Sequence, residues 1–501
     1  MLSESQSEFL RDKTTQLLWD VGMKVESEAL AAALLARGCR QAPSGRIRIP
    51  RSLIDEMTVL QRPTQEADRR DQELHFQCGV DWAHHVVWNG RQDEMRSRLA
   101  SEFLMPAFDC GPTTYYDYPG QRSVPVDTAI FIEIKKFAQA TREIGYTSTW
   151  YRQDVPQAIE RIDSLILALK LTDKVDGIEA IDPPVIKYLK EISEIITDRP
   201  GDSSYLAGSE CITSPLIVER RSAADILERK ARGIHRYHVA SMPTIGVSTP
   251  VTIAGSVVME AAEILGGMAA CHALDPESDL SGRAIALVAD MRNGNSTSSG
   301  PEPTLVNLAV KELFDTWWGG HLWVEVYFSP YAKRPGLQAV CENYYGQWRY
   351  ARLLGNPAIP YPGMGALNCG GTGSPVQFML DMEIRKSHFA LKPEIAADEE
   401  RLPFGEICNV VENDRNFLTS DHTLRHCRDL WTSPLFLTAS PDCQGWTGDE
   451  KAILDKCQRM WRENLKQYEP PRWPDEKIKA LDRVLAKAKN EFRVSSGGLP
   501  R

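Results

Sequence analysis

The sequence predicts an α/β fold, and within that class a (β/α)8 TIM barrel with N-terminal and C-terminal helical extensions. Two observations support this prediction. After about residue 125, short β-rich runs alternate with amphipathic helical stretches, and each run ends in a loop rich in Gly, Pro, Ser or Thr. The chain of 501 residues is also long enough for a barrel of about 250 residues with additions. Spacing alone does not distinguish a closed barrel from a doubly wound sheet, which stays the alternative.

An N-terminal extension of helical and irregular segments is predicted for residues 1–100. Apolar residues recur at helical spacing between residues 10 and 35, and Gly38 follows them as a helix end. Residues 46–50 predict a short edge strand.

Six strand–helix units are counted in the predicted barrel, residues 101–400. The predicted strands are residues 145–150, 205–209, 235–241, 284–288, 321–328 and 358–364, and the helices that follow them are residues 157–171, 219–232, 252–272, 301–318, 336–354 and 374–388. Further units near residues 115 and 175 bring the count toward the eight of a barrel. Residues 401–501 are predicted to form a C-terminal helical extension.

Composition argues against several classes of partner and location. The 58 basic and 68 acidic residues give a net charge of −10, and no basic stripe offsets it, so nucleic acid and membrane surfaces are not expected partners. The most apolar stretch, residues 253–274, contains Glu260, Glu263 and His272, which predicts a buried core helix rather than a membrane span. Eleven cysteines without a CxxC pair, and an acidic start unlike a signal peptide, lead us to expect a cytoplasmic protein.

The predicted strand 321–328 alternates apolar and polar side chains. His321, Glu325 and Tyr327 share its polar face, which in a barrel would point inward. Glu325 and Tyr327 would then lie near the C-terminal mouth, where barrel enzymes have their active sites. The alternative is a strand whose polar face lies in a wet interior.

Other candidates lie at the ends of other predicted strands. Asp290 and Arg292 follow strand 284–288, where a charged pair marks a possible site or braces the next loop. Trp150 and Tyr151 end an earlier strand, as site, core or rim residues. The glycine cluster at residues 370–373 is compatible with a ligand loop or with a tight turn. His422 and His426 are four residues apart without an evident third ligand, and no HExxH motif occurs, so we expect no metal.

The run at residues 241–255, SMPTIGVSTPVTIAG, resembles the "SMP…G.T.PVT.AG" stretch of the trimethylamine methyltransferase (MttB) superfamily. Other segments resemble that family in the same order along the whole chain. They are the opening helix at residues 17–28, residues 290–294 with 300–302, Gln338 and Glu342 within one helix, and residues 417–426.

The resemblance implies a barrel that passes a methyl group from an amine to the cobalt of a separate corrinoid protein. The loop at residues 329–334 contains standard residues only, which resembles the members without pyrrolysine. Those members favour quaternary amines such as glycine betaine. The DxHxxG loop that supplies a histidine to cobalt is missing, so cobalamin or another corrinoid would arrive on a partner protein.

The implied chemistry assigns roles to the candidate residues. Aromatic faces hold a permanent cation, for which the candidates are Tyr115, Trp150, Tyr151, Tyr327 and Tyr331. Glu325 would add charge complementarity, and His321 or Arg292 would bind a substrate carboxylate. The residues that match the family helix, Gln338 and Glu342, are further substrate-binding candidates, and Gly370, Gly371 and Gly373 would face the corrinoid.

Two rival functions remain open. One is a barrel lyase or hydrolase that uses Asp290 and Glu325 as acid and base. The other is a quaternary-amine-binding barrel without catalysis. Assembly into a homo-oligomer is compatible with each.

Overall fold

A computed structural model of the chain describes residues 1–60, 107–108, 112–144, 146–148, 150–175, 177–319, 321–324, 330–354, 364–390, 395, 397–413, 415–436 and 450–493. The α-helices, numbered in chain order, are α1 (Glu4–Asp20), α2 (Glu28–Ala36), α3 (Arg51–Leu60), α4 (Thr128–Ala140), α5 (Gln157–Leu171), α6 (Ile186–Thr197), α7 (Arg220–Ala231), α8 (Ile253–Leu274), α9 (Pro301–Leu313), α10 (Leu337–Leu354), α11 (Pro375–Ala390), α12 (Phe404–Glu412), α13 (Asp421–His426), α14 (Glu450–Leu465) and α15 (Asp475–Glu491). A π-helical turn (Phe314–Trp318) continues α9, and 3₁₀ turns are present at Pro183–Val185 and Phe417–Thr419.

The strands are short. They are β1 (Lys24–Val25), β2 (Arg40–Gln41), β3 (Ile47–Arg48), β4 (Ala107–Phe108), β5 (Thr114–Asp117), β6 (Arg122–Pro125), β7 (Tyr146–Thr147), β8 (Ile178–Glu179), β9 (Leu206–Ala207), β10 (Glu210–Ile212), β11 (Ile217–Val218), β12 (Arg236–Ser241), β13 (Thr244–Ile245), β14 (Asp279–Ala284), β15 (Leu287–Ala289), β16 (Ser296–Thr297), β17 (His321–Val324), β18 (Ala366–Leu367) and β19 (Thr372–Gly373).

The α/β class is confirmed, and so are the six predicted barrel helices. Helix α5 begins and ends at the predicted residues, and the ends of the others agree to within two residues once the π-helical turn is counted with α9. Local signals explain several helix starts: the Asp127 side chain accepts a hydrogen bond from the Ile130 amide at 2.8 Å and so caps α4.

Parallel pairing follows chain order through the middle of the molecule. Strand β4 pairs with β7, Thr147 of β7 bridges to Val175, and β8 pairs with β9. Strands β10, β12, β14 and β17 then form a four-stranded parallel sheet in sequence order. Helices separate most of these strands, as parallel pairing requires.

One strand prediction is wrong in position. Residues 284–288 do not form one strand: β14 ends at Ala284, and β15 is a separate strand at Leu287–Ala289. The apolar run that suggested the strand lies beyond the sheet, whereas β14 itself carries polar Ser281 and Arg283 and therefore lacks an apolar signature.

The region near residue 115 also differs from a simple strand–helix unit. Strand β5 forms an antiparallel hairpin with β6 and a parallel pair with β19. The predicted strand 358–364 lies outside the described residues except for Met364.

Helix α8 organises one of two buried cores. The N-terminal helices α1, α2 and α3 pack on it from one side, and β12 and β14 pack on it from the other. It is the described helix that is long and apolar enough to cross a membrane, but 72% of its apolar window is buried inside the protein. The prediction of a buried core helix is confirmed.

The second core joins the C-terminal helices to α4, α5 and α6. Helix α14 packs on α4 and α11, and α15 packs on α5 and α6. Trp461 of α14 meets Phe137 edge to face, with ring centroids 5.7 Å apart. Both extensions are thus packed against the α/β region, and the domain boundaries at residues 100 and 400 stay predictions.

Candidate active site

The four-stranded sheet presents two rows of side chains on one face. Side chains alternate along a strand, so every second residue of a strand points to the same face of the sheet. Residues that are paired in register on neighbouring strands also share a face. The rows are Cys211, Ala240 and Arg283, and, nearer the strand beginnings, His238 and Ser281. This face points away from α8, and we name it the inner face. The backbone of β17 pairs with β14 in register, His321 with Ser281 and Trp323 with Arg283.

The opposite face of the same strands is apolar. Tyr237 and Val239 of β12, Leu280 of β14 and Leu322 of β17 are buried in the core that contains α8. Alternation therefore separates an apolar packing face from a face that carries polar side chains.

A basic and hydrogen-bonding group lies in the middle of the inner face. His238 is buried, and its Nδ1 lies 2.7 Å from the Ser281 hydroxyl on the neighbouring strand. Arg283 lies two residues further along β14, on the same face and half-buried. A guanidinium, an imidazole and a hydroxyl together suit an anionic group such as a carboxylate.

The carboxyl group of Glu263, on α8, binds residues at the C-terminal ends of β10 and β12. Its Oε2 accepts hydrogen bonds from the Ser241 hydroxyl at 2.5 Å and the Ser214 hydroxyl at 2.7 Å, and its Oε1 accepts one from the Leu216 amide at 3.0 Å. Burial raises the pKa of Glu263. Because these partners lie at the ends of β10 and β12, Glu263 holds the site rim in position.

Glu260 performs the same task for β14. It is fully buried, and its Oε1 accepts the amide of Ile285, just after the strand, at 2.8 Å. Burial raises its pKa well above the usual value, and the nearby Glu263 adds to the rise. Both carboxyl groups within the apolar α8 sequence are thus structural, and they lie on the side of the sheet away from Arg283.

Asp290 and Arg292 lie at the tip of a turn beyond the sheet. Arg292 donates from Nε to Asp290 Oδ1 and from Nη2 to Oδ2, both at 2.9 Å, and its side chain is 88% exposed. Hydrogen bonds from Arg292 lower the pKa of Asp290 to about 2. A carboxylate held in this way is a poor proton donor near neutral pH, which argues against Asp290 as a general acid.

Three other candidates come together in the core. Tyr115 pairs in register with Gly373, and Gly373 packs on the ring of Trp150. Trp150 is fully buried, and burial raises the pKa of Tyr115 to about 12. Their roles as cage residues or as a corrinoid-facing glycine stay predictions.

Tyr151 lines a cavity of about 300 Å³ at the C-terminal ends of β7 and β8. The Arg161 guanidinium lies over its ring, 3.6 Å from the centroid. That face of Tyr151 is therefore already covered by a protein cation. The cavity is lined by Thr113, Tyr151, Arg152, Gln153, Val155, Gln157, Glu160, Arg161, Ile181, Asp182 and Val185.

A third group links the loop at residues 330–334 to the glycine turn. Glu342 accepts the Ala332 amide at 3.1 Å and a hydrogen bond from Gln338 at 2.8 Å. The backbone amide of Asn368 donates to the Ala332 carbonyl, and that of Cys369 to the Pro330 carbonyl, which ties the loop to the turn that contains Gly370 and Gly371. Within the loop, Lys333 Nζ lies 4.6 Å from the ring centroid of Tyr331.

Two predicted residues, Glu325 and Tyr327, lie outside the described residues, and His321 is described only in its backbone. Within the described part of the chain, no group of three His, Cys, Asp or Glu side chains is placed to hold a metal ion. The rings of His422 and His426 stack with centroids 4.5 Å apart.

Sequence reasoning missed Arg283, His238 and Ser281. Their signal is the alternation of polar residues within β12 and β14, at the same register positions of adjacent strands. The predicted strand at residues 235–241 includes β12, but the predicted strand at residues 284–288 leaves out most of β14 and so conceals this signal.

Comparison with known proteins gives the family. The profile of the Trimethylamine methyltransferase (MTTB) family matches residues 91–493. The glycine betaine methyltransferase of Desulfitobacterium hafniense (strain Y51) is 20% identical over 94% of this chain and 93% of its own length. The trimethylamine methyltransferase MttB of Methanosarcina thermophila is 29% identical, over 45% of each chain.

Among solved structures, the monomethylamine methyltransferase (MtmB) of Methanosarcina barkeri overlaps with a TM-score of 0.36 at 9% identity, covering 97% of each chain. The family match spans most of the chain, and the relatives are methyltransferases. The chain belongs to the trimethylamine methyltransferase (MTTB) family and is a methyltransferase.

Proposed function

We propose that this methyltransferase takes a methyl group from a quaternary amine that carries a carboxylate, such as glycine betaine, and passes it to a corrinoid on a separate protein. The observation that supports this substrate class is Arg283, which lies on the inner face of the sheet in register with Ala240 and beside the His238–Ser281 pair. Similarity to a glycine betaine methyltransferase over nearly the whole chain agrees with it.

The proposed reaction does not require the protein to donate a proton to the leaving group. A quaternary ammonium leaves as a neutral tertiary amine, since the electron pair of the broken C–N bond stays on nitrogen. The corrinoid, when bound, supplies Co(I) as the nucleophile that accepts the methyl group. The chain itself has to bind the substrate, orient it and exclude water.

Arg283, His238 and Ser281 would perform the orientation. A carboxylate held at this basic group lies on the inner face of the sheet, and the ammonium end then points along the strands toward their C-terminal ends. Binding at the non-reacting end fixes the methyl group for attack, which is how remote binding energy contributes to rate.

The rim at those strand ends fits a corrinoid-bearing partner. Met242, Val247, Val251 and Met291 are all exposed there. A Cβ built on Gly246 would lie 3.5 Å from the Met291 sulfur and 3.8 Å from Val251 Cγ2, so Met291 and Val251 lie next to the same glycine. An apolar rim of this kind suits the broad face of a corrin ring and the protein that presents it.

We propose further that the parallel strands close into a (β/α)8 barrel. Support comes from the two ends of the strand series. Strands β10, β12, β14 and β17 follow chain order in one parallel sheet, and β19 lies parallel to β5. A late strand thus pairs with an early one, which is the pairing that closure requires.

The test is an anaerobic mixture of the purified protein, cob(I)alamin and glycine betaine, followed by visible spectroscopy. We expect loss of the Co(I) spectrum that depends on both the enzyme and the amine. Turnover with trimethylamine but not with glycine betaine would contradict the carboxylate assignment. Micromolar binding of betaine without any change at cobalt, also in the presence of the cognate corrinoid protein, would identify a binding protein instead.

A further inference from the structure

A C-terminal segment of the chain exposes an unusual number of large apolar side chains. We name this segment, residues 395–436, the arm. Its helical elements are α12, the 3₁₀ turn Phe417–Thr419 and α13, and within these elements Val410 alone is buried. The exposed apolar residues of the arm are Ile395, Leu402, Phe404, Val411, Phe417, Leu418, Leu424, Leu430, Trp431 and Phe436.

The exposed apolar area, summed over the side chains of the arm, is larger than the largest apolar patch of an ordinary monomer. Leu418 is 81% exposed and Leu424 is 75% exposed. Taking roughly 200 Å² for a large apolar side chain in water, the exposed area of the set is on the order of 1,000 Å². A stable interface buries about 800 Å² per partner, and the largest apolar patch of a typical monomer is about 300–600 Å². Added together, the exposed apolar side chains of the arm therefore reach the area that a complete interface requires.

A second apolar surface lies on α10. Leu337, Tyr344, Tyr345 and Trp348 are exposed, and we name them the α10 stripe. Their spacing of seven, eight and eleven residues from Leu337 places them on one side of the helix. Tyr and Trp are the residue types that are enriched at interfaces because they combine apolar area with a polar tip.

The two surfaces have opposite charge. The arm contains eight Asp and Glu residues against four arginines. The chain around the stripe, residues 330–354, contains Lys333, Arg334, Arg349 and Arg352 against the single carboxylate of Glu342. Charge complementarity of this kind selects the partner and the register of an interface.

We propose that the arm of one copy of this protein lies across the α10 stripe of a second copy. When the contact is reciprocal, each copy gives an arm and receives one, and the pair is related by a two-fold axis. Both apolar surfaces are then covered by the same association.

The proposed corrinoid-bearing partner does not fit the arm equally well. That partner must leave between methyl transfers, which would expose the arm to water in every cycle. The rim of Met242, Val247, Val251 and Met291 is smaller and suits a transient contact. A contact as large and apolar as the arm is typical of permanent assemblies, and this proposal does not depend on the substrate or the cofactor.

The first test is the mass of the purified full chain in solution, measured by sedimentation velocity at low micromolar concentration. We expect two chains per particle or an even multiple. A monomer under these conditions would overturn the proposal.

The second test changes each surface separately. In the arm, Leu418→Glu is combined with Leu424→Glu, and in the stripe, Tyr344→Glu is combined with Trp348→Glu. All four substitutions place charges at exposed positions. Each double variant should raise the dissociation constant about 100-fold or more, because interface anchors contribute at least about 2 kcal/mol each. The control is Phe9→Glu on α1, which is 60% exposed and outside both surfaces. Its association should equal that of the wild type.

Mixing the two double variants gives the decisive result. The stripe variant still has an intact arm, and the arm variant still has an intact stripe, so a mixed pair regains one of its two contacts. We expect two-chain particles to reappear in the mixture although neither variant forms them alone. Circular dichroism melting of each variant shows that the chains are folded. If folded variants dissociate but their mixture stays monomeric, the arm does not bind the stripe and the proposal is wrong.

Discussion

Gly373 lies so close to Trp150 that a Cβ built on Gly373 would fall 2.4 Å from the Cη2 and Cζ2 atoms of the indole. Strand β19 therefore approaches the core through the only residue type without a side chain. The contact joins the strand before α11 to the loop that follows β7.

Gly373→Ala should destabilise the protein by about 2 kcal/mol, because the added methyl group overlaps a buried ring that cannot move away. Chemical denaturation of both variants measures the effect. Gly405→Ala is the control, since a Cβ there meets nothing within 4 Å. If Gly373→Ala is as stable as the control Gly405→Ala, the Trp150 ring shifts to admit the added methyl group and the prediction is wrong.

Arg283→Gln should weaken the binding of glycine betaine about 10- to 100-fold, the loss expected for a hydrogen-bonded ion pair. Binding of tetramethylammonium, which has no carboxylate, should not change. Isothermal titration calorimetry with both ligands separates these effects from turnover. Arg232→Gln is the control, because Arg232 is paired with Glu228 at the surface. Equal losses for both ligands would remove Arg283 from the carboxylate site.

Glu260 makes stability depend on pH. Burial raises its pKa in the folded protein, so the folded state keeps a proton that the unfolded state releases above about pH 4.5. The contribution of Glu260 to the free energy of unfolding therefore falls as pH rises, by about 1.4 kcal/mol per pH unit until the folded carboxyl group ionises. Glu260→Gln keeps the acceptor for the Ile285 amide and removes this dependence.

The measurement is urea denaturation between pH 5 and pH 8. The Glu260→Gln variant should lose less stability with rising pH than the wild type does. Glu277→Gln, at a side chain that is 82% exposed, should behave like the wild type. Parallel pH profiles for wild type and Glu260→Gln would mean that Glu260 is not protonated in the folded state.

Met291→Glu should raise the KM for cob(I)alamin about tenfold and leave the binding of glycine betaine unchanged, since Met291 lies on the rim and not on the inner face. Initial rates over a range of cob(I)alamin concentrations give the value. Val21→Glu, at the exposed end of α1, provides the comparison. An unchanged KM would place the corrinoid elsewhere.

The sequence predicted helices better than strands, for a physical reason. Helix α5 buries an apolar face that recurs at helical spacing, and helix α8 is apolar and buried over most of its length. Both signals extend over several turns and are therefore strong. Strand β14 is six residues long, and its alternation includes polar Ser281 and Arg283 on the face that points away from α8. An apolar-run criterion therefore passes over β14 and selects residues 284–288 instead.

The same error moved the candidate site. Asp290 and Arg292 become candidates because they follow the misplaced strand, whereas Arg283 lies before it. The aromatic candidates show a different limit: sequence places Trp150 and Tyr151 in one loop, but only tertiary contacts tell that Trp150 is buried and that Arg161 covers Tyr151.

The alternation within β12 and β14 has a consequence for the history of such enzymes. Residues 237, 239 and 280 are constrained by α8, whereas residues 238, 281 and 283 are not. With the substrate bound as proposed, a lineage exchanges one methyl donor for another through a few inward positions and keeps the scaffold that folds the chain.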